Sequence, residues 1–92
     1  MKKAEIILKN AEGLHARPAS IFAKTAGSFE CDLVLFKNGD KNKEYNPKSI
    51  ISIMSMGAAQ DDKITIIADG QDEVEAVDSL CSLVENDFQV SN

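Results

Sequence analysis

Several residue types that commonly build functional sites are scarce in this chain. Its 92 residues include no tryptophan, one histidine, two cysteines and two prolines. No apolar run approaches the roughly 20 residues that a membrane-spanning helix requires, and Met1-Lys2-Lys3 leads into a strand-like pattern instead of a signal-peptide core. We therefore expect a cytoplasmic protein that does not insert into membranes.

Basic residues are also fewer than acidic ones. The chain has 10 lysine and arginine residues against 15 aspartate and glutamate residues, a formal net charge of −5. Direct binding of nucleic acid is not expected, because it relies on a basic surface that neutralises phosphates. Cys31 and Cys81 lie far apart without clustered histidines, unlike the ligands of a zinc site, so we predict no metal and no cofactor. The spacing leaves a disulfide open, although a cytoplasmic location disfavours one.

The remaining composition is that of an ordinary globular domain. Hydrophobic residues make up 43% of the chain and charged residues 27%. A chain of this size can build one modest core without metals or disulfides. No internal repeat or low-complexity tail is evident, so residues 1–92 are predicted to form a single domain.

Hydrophobic periodicity predicts alternating strands and helices, because alternate apolar residues favour a strand and a spacing near 3.6 favours a helix. The predicted strands are residues 4–9, 31–36, 43–45 and 63–68, and the last is the best candidate for a central strand. The predicted helices begin near Pro18, Ile50 and Asp72, and the first has one apolar face that is expected to be buried, formed by Ala19, Phe22, Ala23 and Ala26. Asn38-Gly39 is the strongest hairpin signal, and Asp72 followed by Glu75 resembles a capping box. Strands that form one sheet, with helices on one face, make a two-layer α+β fold.

The single histidine, His15, comes just before the first predicted helix. Pro18 suits a first helical turn, where its missing N–H would have had no partner. The free N–H groups and partial positive charge of a helix start favour an anion, so we predict that the helix start at Ala16 and Pro18 cradles a phosphate. Arg17 adds a permanent charge and a fork of donors that fits phosphate oxygens. His15 is therefore a candidate phosphoryl acceptor, and an ordinary surface histidine is the alternative.

A second cluster of interest surrounds the predicted short helix. Ser49 is a good N-cap for a helix that begins at Ile50. Ile50, Ile53 and Met54 share one face of that helix, whereas Ile51 points another way. Ile51 is either one more core residue or an exposed apolar side chain.

Two separated stretches resemble one known family. Gly13-Leu14-His15-Ala16-Arg17-Pro18-Ala19 resembles the phosphorylation-site motif of HPr, the histidine phosphocarrier of the bacterial phosphoenolpyruvate:sugar phosphotransferase system. Lys48-Ser49-Ile50-Ile51-Ser52-Ile53-Met54-Ser55-Met56-Gly57 is similar to a second stretch of that family. The two stretches occur in the right order, and the resemblance covers the chain from Ala4 to about Val84.

The resemblance implies a particular fold. It is an open-faced β-sandwich of order βαββαβα, with a mainly antiparallel four-stranded sheet in the order 1-4-2-3 and three helices on one face. The turn around residues 38–43 looks longer than is usual in the family.

The resemblance also implies a function and partners. Enzyme I, charged by phosphoenolpyruvate, would donate a phosphoryl group to His15, with Nδ1 as the family's acceptor atom. The chain would pass the group to the A domains of sugar-specific enzymes II, with Arg17 stabilising it during transfer. Such a protein is a carrier and not an enzyme, and we expect a monomer.

Regulation is implied at Ser49, which matches the serine that HPr kinase/phosphorylase modifies in many Gram-positive bacteria. There the modified form binds a catabolite-control transcription factor. Pro47 and Ser52 depart from the usual flanking pattern. Ile51 and Met54 are candidates for an exposed docking patch on the short helix.

Basic residues belong to the same predicted docking surface. Lys24 and Lys48, together with Arg17, would face the surfaces of the protein partners. Two other functional classes stay open. One is an HPr-like paralogue that mainly regulates nitrogen metabolism or catabolite repression, although paralogues that lack the histidine are disfavoured by His15. The other is a small ligand-binding regulatory domain, for which the sequence offers no glycine-rich or aromatic-lined pocket.

Overall fold

A computed structural model describes residues 1–89, which form three strands and three helices. In chain order they are β1 (Lys2–Ile7), α1 (Ala16–Gly27), β2 (Asp32–Lys37), α2 (Ile50–Met56), β3 (Lys63–Asp69) and α3 (Glu73–Glu85). The predicted single domain extends to residue 92, and its last three residues lie outside the described ones. None of the helices within residues 1–89 is long and apolar enough to cross a membrane.

The strands form one antiparallel sheet in the order β1-β3-β2. The central strand β3 is rich in isoleucine, a β-branched residue that packs well on a pleated surface with neighbours on both sides. Its Ile66 lies between Ala4 of β1 and Leu35 of β2. The prediction that residues 63–68 form the central strand is confirmed.

The predicted four-stranded sheet in the order 1-4-2-3 is wrong. Of the predicted strand at residues 43–45, Tyr45 alone pairs with the sheet, through an isolated bridge to Leu35. The two residues exchange backbone hydrogen bonds of 2.9 and 3.0 Å. The observed element order is therefore βαβαβα, with a single bridge beside β2 where a fourth strand was expected.

Local hydrogen bonds keep the chain from extending on the N-terminal side of Tyr45. The turn at Asn38-Gly39 closes through the Asp40 N–H and the Lys37 carbonyl oxygen, which lie 3.0 Å apart. The Asp40 carboxylate then accepts the N–H of Asn42 at 3.0 Å, which is the side-chain turn that aspartate favours. A turn forms at Asn38-Gly39, but the chain keeps turning after it and the predicted strand at residues 43–45 does not complete a hairpin.

The C-terminal side of Tyr45 is held in a different way. The N–H of Asn46 donates to the hydroxyl oxygen of Ser52 at 2.8 Å. Pro47 has no N–H to offer to a strand. These two residues leave Tyr45 without a neighbour that could extend the pairing.

The core lies between one face of the sheet and the helices. Side chains alternate along a strand, so the apolar residues of one parity share that face. Helix α3 packs against β1 and β3, and α1 contacts α2 and α3. The apolar face predicted for the first helix is confirmed, because its members are all buried: Ala19, Phe22, Ala23 and Ala26. Full burial of a side chain such as Phe22 contributes about 1.5–3 kcal/mol.

The long loop at residues 38–43 lies beside the other face of the sheet. Phe36 and Thr65 are paired neighbours on that face, yet only 8% and 5% of their surfaces are exposed. Gly39 and Lys41 line the same depression. The loop therefore shields part of the face that the predicted open-faced sandwich leaves bare.

The predicted capping box at Asp72 is wrong. Asp72 is the N-cap of α3, but its carboxylate makes no capping bond within the described chain. It accepts the N–H groups of Glu30 and Cys31, each at 2.9 Å, and these bonds, the Glu30 one foremost, hold the pKa of Asp72 below its usual range. The carboxylate joins the start of α3 to the segment before β2.

The two cysteines are free thiols. Cys31 is buried and Cys81 is partly buried, and burial raises the pKa of both thiols. Across the part of the chain that the structure describes, no three acidic, histidine or cysteine side chains are grouped as a metal site would require.

Candidate functional site

His15 lies immediately before α1, as its N-cap, and is exposed. Its backbone is extended, with φ −96° and ψ −175°, and its carbonyl oxygen accepts the N–H of Ala19 at 2.8 Å. Its side chain makes no capping hydrogen bond to residues of the described chain. The backbone of His15 thus starts the helix, while its imidazole stays accessible.

The first turn of α1 consists of Ala16, Arg17 and Pro18. N–H groups in a first turn have no acceptor inside the helix, and proline has no N–H. The backbone donors offered to an anion are therefore those of Ala16 and Arg17. Pro18 is buried and contributes a rigid backbone to the predicted cradle, not a hydrogen bond.

The guanidinium of Arg17 has a partner that sequence reasoning missed. Arg17 Nη2 lies 3.6 Å from Glu12 Oε1, with the two side chains 57% and 56% exposed. The residues are five positions apart across the loop before α1, a spacing to which no helix or strand rule applies. The fold of that loop brings them together.

Gly13 anchors the loop that carries His15. Gly13 has φ +61°, a conformation that glycine adopts without a Cβ clash. The N–H of the next residue, Leu14, donates to the carbonyl oxygen of Ala58 at 3.0 Å. A Cβ atom on Gly13 would lie 2.4 Å from that same oxygen. The loop therefore rests directly on the backbone between α2 and β3.

Asp62 fixes the segment on which Gly13 rests. Its carboxylate accepts the N–H of Ala59 at 2.8 Å and the side-chain amide of Asn38 at 3.1 Å. These two bonds hold the pKa of Asp62 below its usual range, and the bond from Ala59 has the larger effect. Because the pKa of Asp62 is lower in the folded chain, its carboxylate stabilises the fold fully above the unfolded pKa. That stabilisation is lost as the pH falls through the folded pKa. Sequence reasoning assigned no role to Asp62, because one of its two bonds reaches Asn38 in a loop 24 residues earlier.

Replacing Gly13 by alanine is expected to destabilise the fold by about 2–5 kcal/mol, the sum of an unfavourable left-handed backbone and a steric overlap with Ala58. Gly39→Ala is the matched control. Gly39 also has a positive φ, +77°, and within residues 1–89 nothing lies within 4 Å of an added Cβ. We expect this control to lose only about 1–2 kcal/mol.

Thermal unfolding measures both glycine variants. For a domain of this size each kcal/mol lowers Tm by roughly 4–8 °C, so the two variants should be well separated. Equal losses would mean that the backbone at Ala58 accommodates the added Cβ at no cost in stability.

Most of the predicted docking residues surround one groove between α1 and α2. The groove is lined by Ser20, Ala23, Lys24, Lys48, Ser49, Ile50 and Ile51. Ile51 is 82% exposed, so it is not a core residue. Met54 is 42% exposed on the same helix. The structure thus brings Lys24, Lys48, Ser49 and Ile51 together, with Met54 outside the groove lining.

Lys48 has its ammonium group engaged within the chain. Its Nζ donates to the carbonyl oxygens of Phe29 at 2.7 Å and Cys31 at 2.9 Å. Lys48 connects the start of α2 with the segment before β2. A docking partner that binds the Lys48 ammonium would have to share it with these two carbonyl oxygens.

Ser49 is the N-cap of α2, as predicted. Its hydroxyl oxygen accepts the N–H of Ser52 at 3.2 Å, and its backbone is extended. At the other end of the helix Gly57 takes the left-handed conformation that ends many helices. Ser49 is partly exposed and lines the groove.

Comparisons with known proteins agree on one family. The family model described as "PTS HPr component phosphorylation site" matches residues 2–86. The chain is 45% identical to the phosphocarrier protein HPr of Mycoplasma pneumoniae, over 92% of this chain and 94% of that protein. It is 40% identical to the HPr-like protein Crh of Bacillus subtilis, over 94% and 95% of the two chains. The crystal structure of HPr from Thermoanaerobacter tengcongensis superposes with a TM-score of 0.89 at 40% identity, covering all of both chains.

A two-layer α+β domain with an exposed histidine at a helix start, together with these similarities, defines a small phosphocarrier protein. The chain belongs to the HPr family of the phosphotransferase system.

Proposed function

We propose that His15 is the residue that carries the phosphoryl group, received from phosphorylated enzyme I and delivered to the A domains of sugar-specific enzymes II. The observation that supports this most directly is the exposed imidazole of His15 at the start of α1. An unprotonated ring nitrogen supplies the electron pair for a new N–P bond. The bond from phosphorus to the donor atom of enzyme I breaks, and the donor atom keeps the electron pair of that broken bond. The reverse exchange loads the enzyme II domain.

The surroundings of His15 suit the charge of a phosphoryl group. The N–H groups of Ala16 and Arg17 and the positive end of α1 favour an anion beside the imidazole. The Arg17 guanidinium is exposed and can approach phosphate oxygens. These groups stabilise the phosphoryl while it is exchanged.

The chain acts as a carrier and not as a catalyst in its own right, because His15 is consumed and regenerated in each cycle. Its partners are other proteins, with enzyme I as donor and enzyme II A domains as acceptors. We propose a cytoplasmic location, because phosphoenolpyruvate and these partner domains would have to meet the chain there. The exposed apolar side chains Ile51 and Met54, together with Lys24, form the surface that these partners contact.

Incubation with enzyme I and labelled phosphoenolpyruvate tests this proposal. The chain should take up label as a phosphoramidate, which is labile in acid and stable in alkali, and should lose it when an enzyme II A domain is added. Label that is stable in acid, or none at all, would contradict the proposal.

Regulation by phosphorylation at Ser49 is the second candidate function. Ser49 is partly exposed beside the docking groove, and a phosphate there would sit at the start of its own helix. The similar protein from Bacillus subtilis, Crh, has a solved structure described as catabolite repression HPr. We propose that an HPr kinase modifies Ser49 and that the modified form binds a catabolite-control transcription factor.

Ser49→Asp is expected to raise the apparent KM of the chain in the enzyme I reaction while leaving the circular dichroism spectrum unchanged. A negative charge in the groove would repel a partner surface suited to cations, and like charges across an interface can cost several kcal/mol. Since exposed charges are screened over about 10 Å at 0.1 M salt, the defect should shrink as salt is raised.

Ser49→Ala is the control for this charge. It removes the cap, at a cost to the fold of about 0.5–2 kcal/mol, and adds no charge. Its KM should stay near that of the unmodified chain. The same rise in KM for both variants would make Ser49 a structural cap and not a switch.

A further inference from the structure

We propose that Glu12 is a positioning residue for the His15 reaction, because it holds the Arg17 guanidinium in the unphosphorylated chain and competes with the phosphoryl group for it. The inference rests on the proposed function of His15. Glu12 Oε1 lies 3.6 Å from Arg17 Nη2. Neither the sequence motif nor the charge pattern of the chain assigns Glu12 a role.

The Glu12–Arg17 pair is close enough to orient the guanidinium and loose enough to release it. A charge-assisted hydrogen bond is typically about 2.7–2.9 Å long, so a separation of 3.6 Å is an ion pair without a tight bond. Both side chains are more than half exposed, and pairs of this kind contribute little to stability. Arg17 can therefore leave Glu12 for phosphate oxygens without disturbing the fold.

The backbone on both sides of His15 is fixed, which keeps Glu12 near the reacting group. Glu12 precedes Gly13, whose N–H donates to the Asn10 carbonyl oxygen at 3.2 Å and whose own carbonyl oxygen accepts the Asn10 side-chain amide at 3.0 Å. Arg17 is in the first turn of α1. The loop cannot move Glu12 away without losing these contacts and those of Gly13 with Ala58.

Two consequences follow for the phosphorylated chain. A phosphoryl group on His15 carries roughly two negative charges, so it and the Glu12 carboxylate compete for a single guanidinium. Glu12 therefore makes phosphohistidine less stable than it would be with Arg17 unengaged. A less stable phosphohistidine gives up its phosphoryl group to the next acceptor more readily.

Glu12→Gln tests this competition, since it removes the charge and keeps the shape. Glu5→Gln is the matched control, because Glu5 forms a comparable exposed pair with Lys63, at 3.5 Å, on a strand of the sheet. We expect the Glu12 variant to shift the equilibrium of phosphoryl exchange with enzyme I toward phosphohistidine by about 1.5- to 5-fold, the range of one exposed ion pair. The shift should diminish at high salt, and the control should show none.

A second pair of variants isolates the role of Arg17. In an Arg17→Ala background, Glu12→Gln should shift the equilibrium much less. The guanidinium for which the Glu12 carboxylate and the phosphoryl group compete is then absent. An equal shift with and without Arg17 would mean direct repulsion by Glu12 and would overturn the competition. Identical equilibria for the Glu12 and Glu5 variants would overturn the proposal as a whole.

The outcomes also separate this inference from the proposed function. If the unmodified chain takes no acid-labile label, the phosphocarrier role of His15 fails. If it is labelled and the Glu12 variant behaves like the unmodified chain, the role of Glu12 alone fails.

Discussion

His15→Ala is expected to accept no phosphoryl group from enzyme I while it keeps its fold. The chain contains no second histidine that could take over. The side chain is exposed and makes no capping bond to the described residues, and substitutions at such surface positions usually change stability by no more than about 0.5 kcal/mol. The variant should therefore take up no label, while its Tm stays near that of the unmodified chain.

The chemistry of any residual label is the control for the His15 variant. Ser49→Ala should be labelled by enzyme I as fully as the unmodified chain. Label that persists in His15→Ala and resists acid would indicate a hydroxyl acceptor, and label that persists and is acid-labile would indicate a different nitrogen. Either result would refute His15 as the phosphoryl acceptor.

Arg17→Ala is expected to slow phosphoryl transfer by roughly 10- to 150-fold, which corresponds to a lost charged hydrogen bond of about 1.5–3 kcal/mol in the transition state. Its effect on folding should be small. The only ion pair that the structure gives Arg17 within residues 1–89 is the exposed contact with Glu12, and such pairs contribute about 0–1 kcal/mol. Rapid-quench kinetics and thermal unfolding measure the two quantities on the same samples.

Lys24→Ala is the matched control for Arg17. Lys24 is also an exposed cation on α1, but it lies in the last turn of the helix, far along the chain from His15. It should change the apparent KM for a protein partner more than the rate of the transfer step. A large drop in Tm for Arg17→Ala with near-normal transfer would make Arg17 structural.

The candidate site could be predicted in part because its main elements are local in sequence. The order of His15, Arg17 and Pro18 places an imidazole, a cation and a helix start within four residues, whatever the rest of the chain does. The N-cap at Ser49 is local for the same reason, since its hydroxyl bonds to Ser52 three residues later. The placement of these groups follows from short-range rules, and their roles in phosphoryl transfer stay predictions.

The predictions that are wrong concern competition between local and distant partners. Residues 43–45 have the pattern of a strand, but turns at Asp40 and a bond from Asn46 to Ser52 leave one residue to pair. Asp72 has the sequence of a cap, but two backbone N–H groups some forty residues earlier in the chain take its carboxylate. In the first case local bonds replace most of the predicted strand pairing. In the second case a distant partner replaces the predicted local cap.

By itself, the sequence determined the alternation of strands and helices, the buried face of α1, the central place of β3 and the exposed histidine before a helix. These follow from periodicity, capping and the chemistry of neighbouring residues, which act over a few positions. Tertiary structure alone decided that Gly13 rests on Ala58, that Lys48 is bound to two carbonyl oxygens and that Glu12 meets Arg17. The physical reason is that each of these contacts depends on how loops are placed by packing, and no periodicity in the chain encodes the distance between two loops.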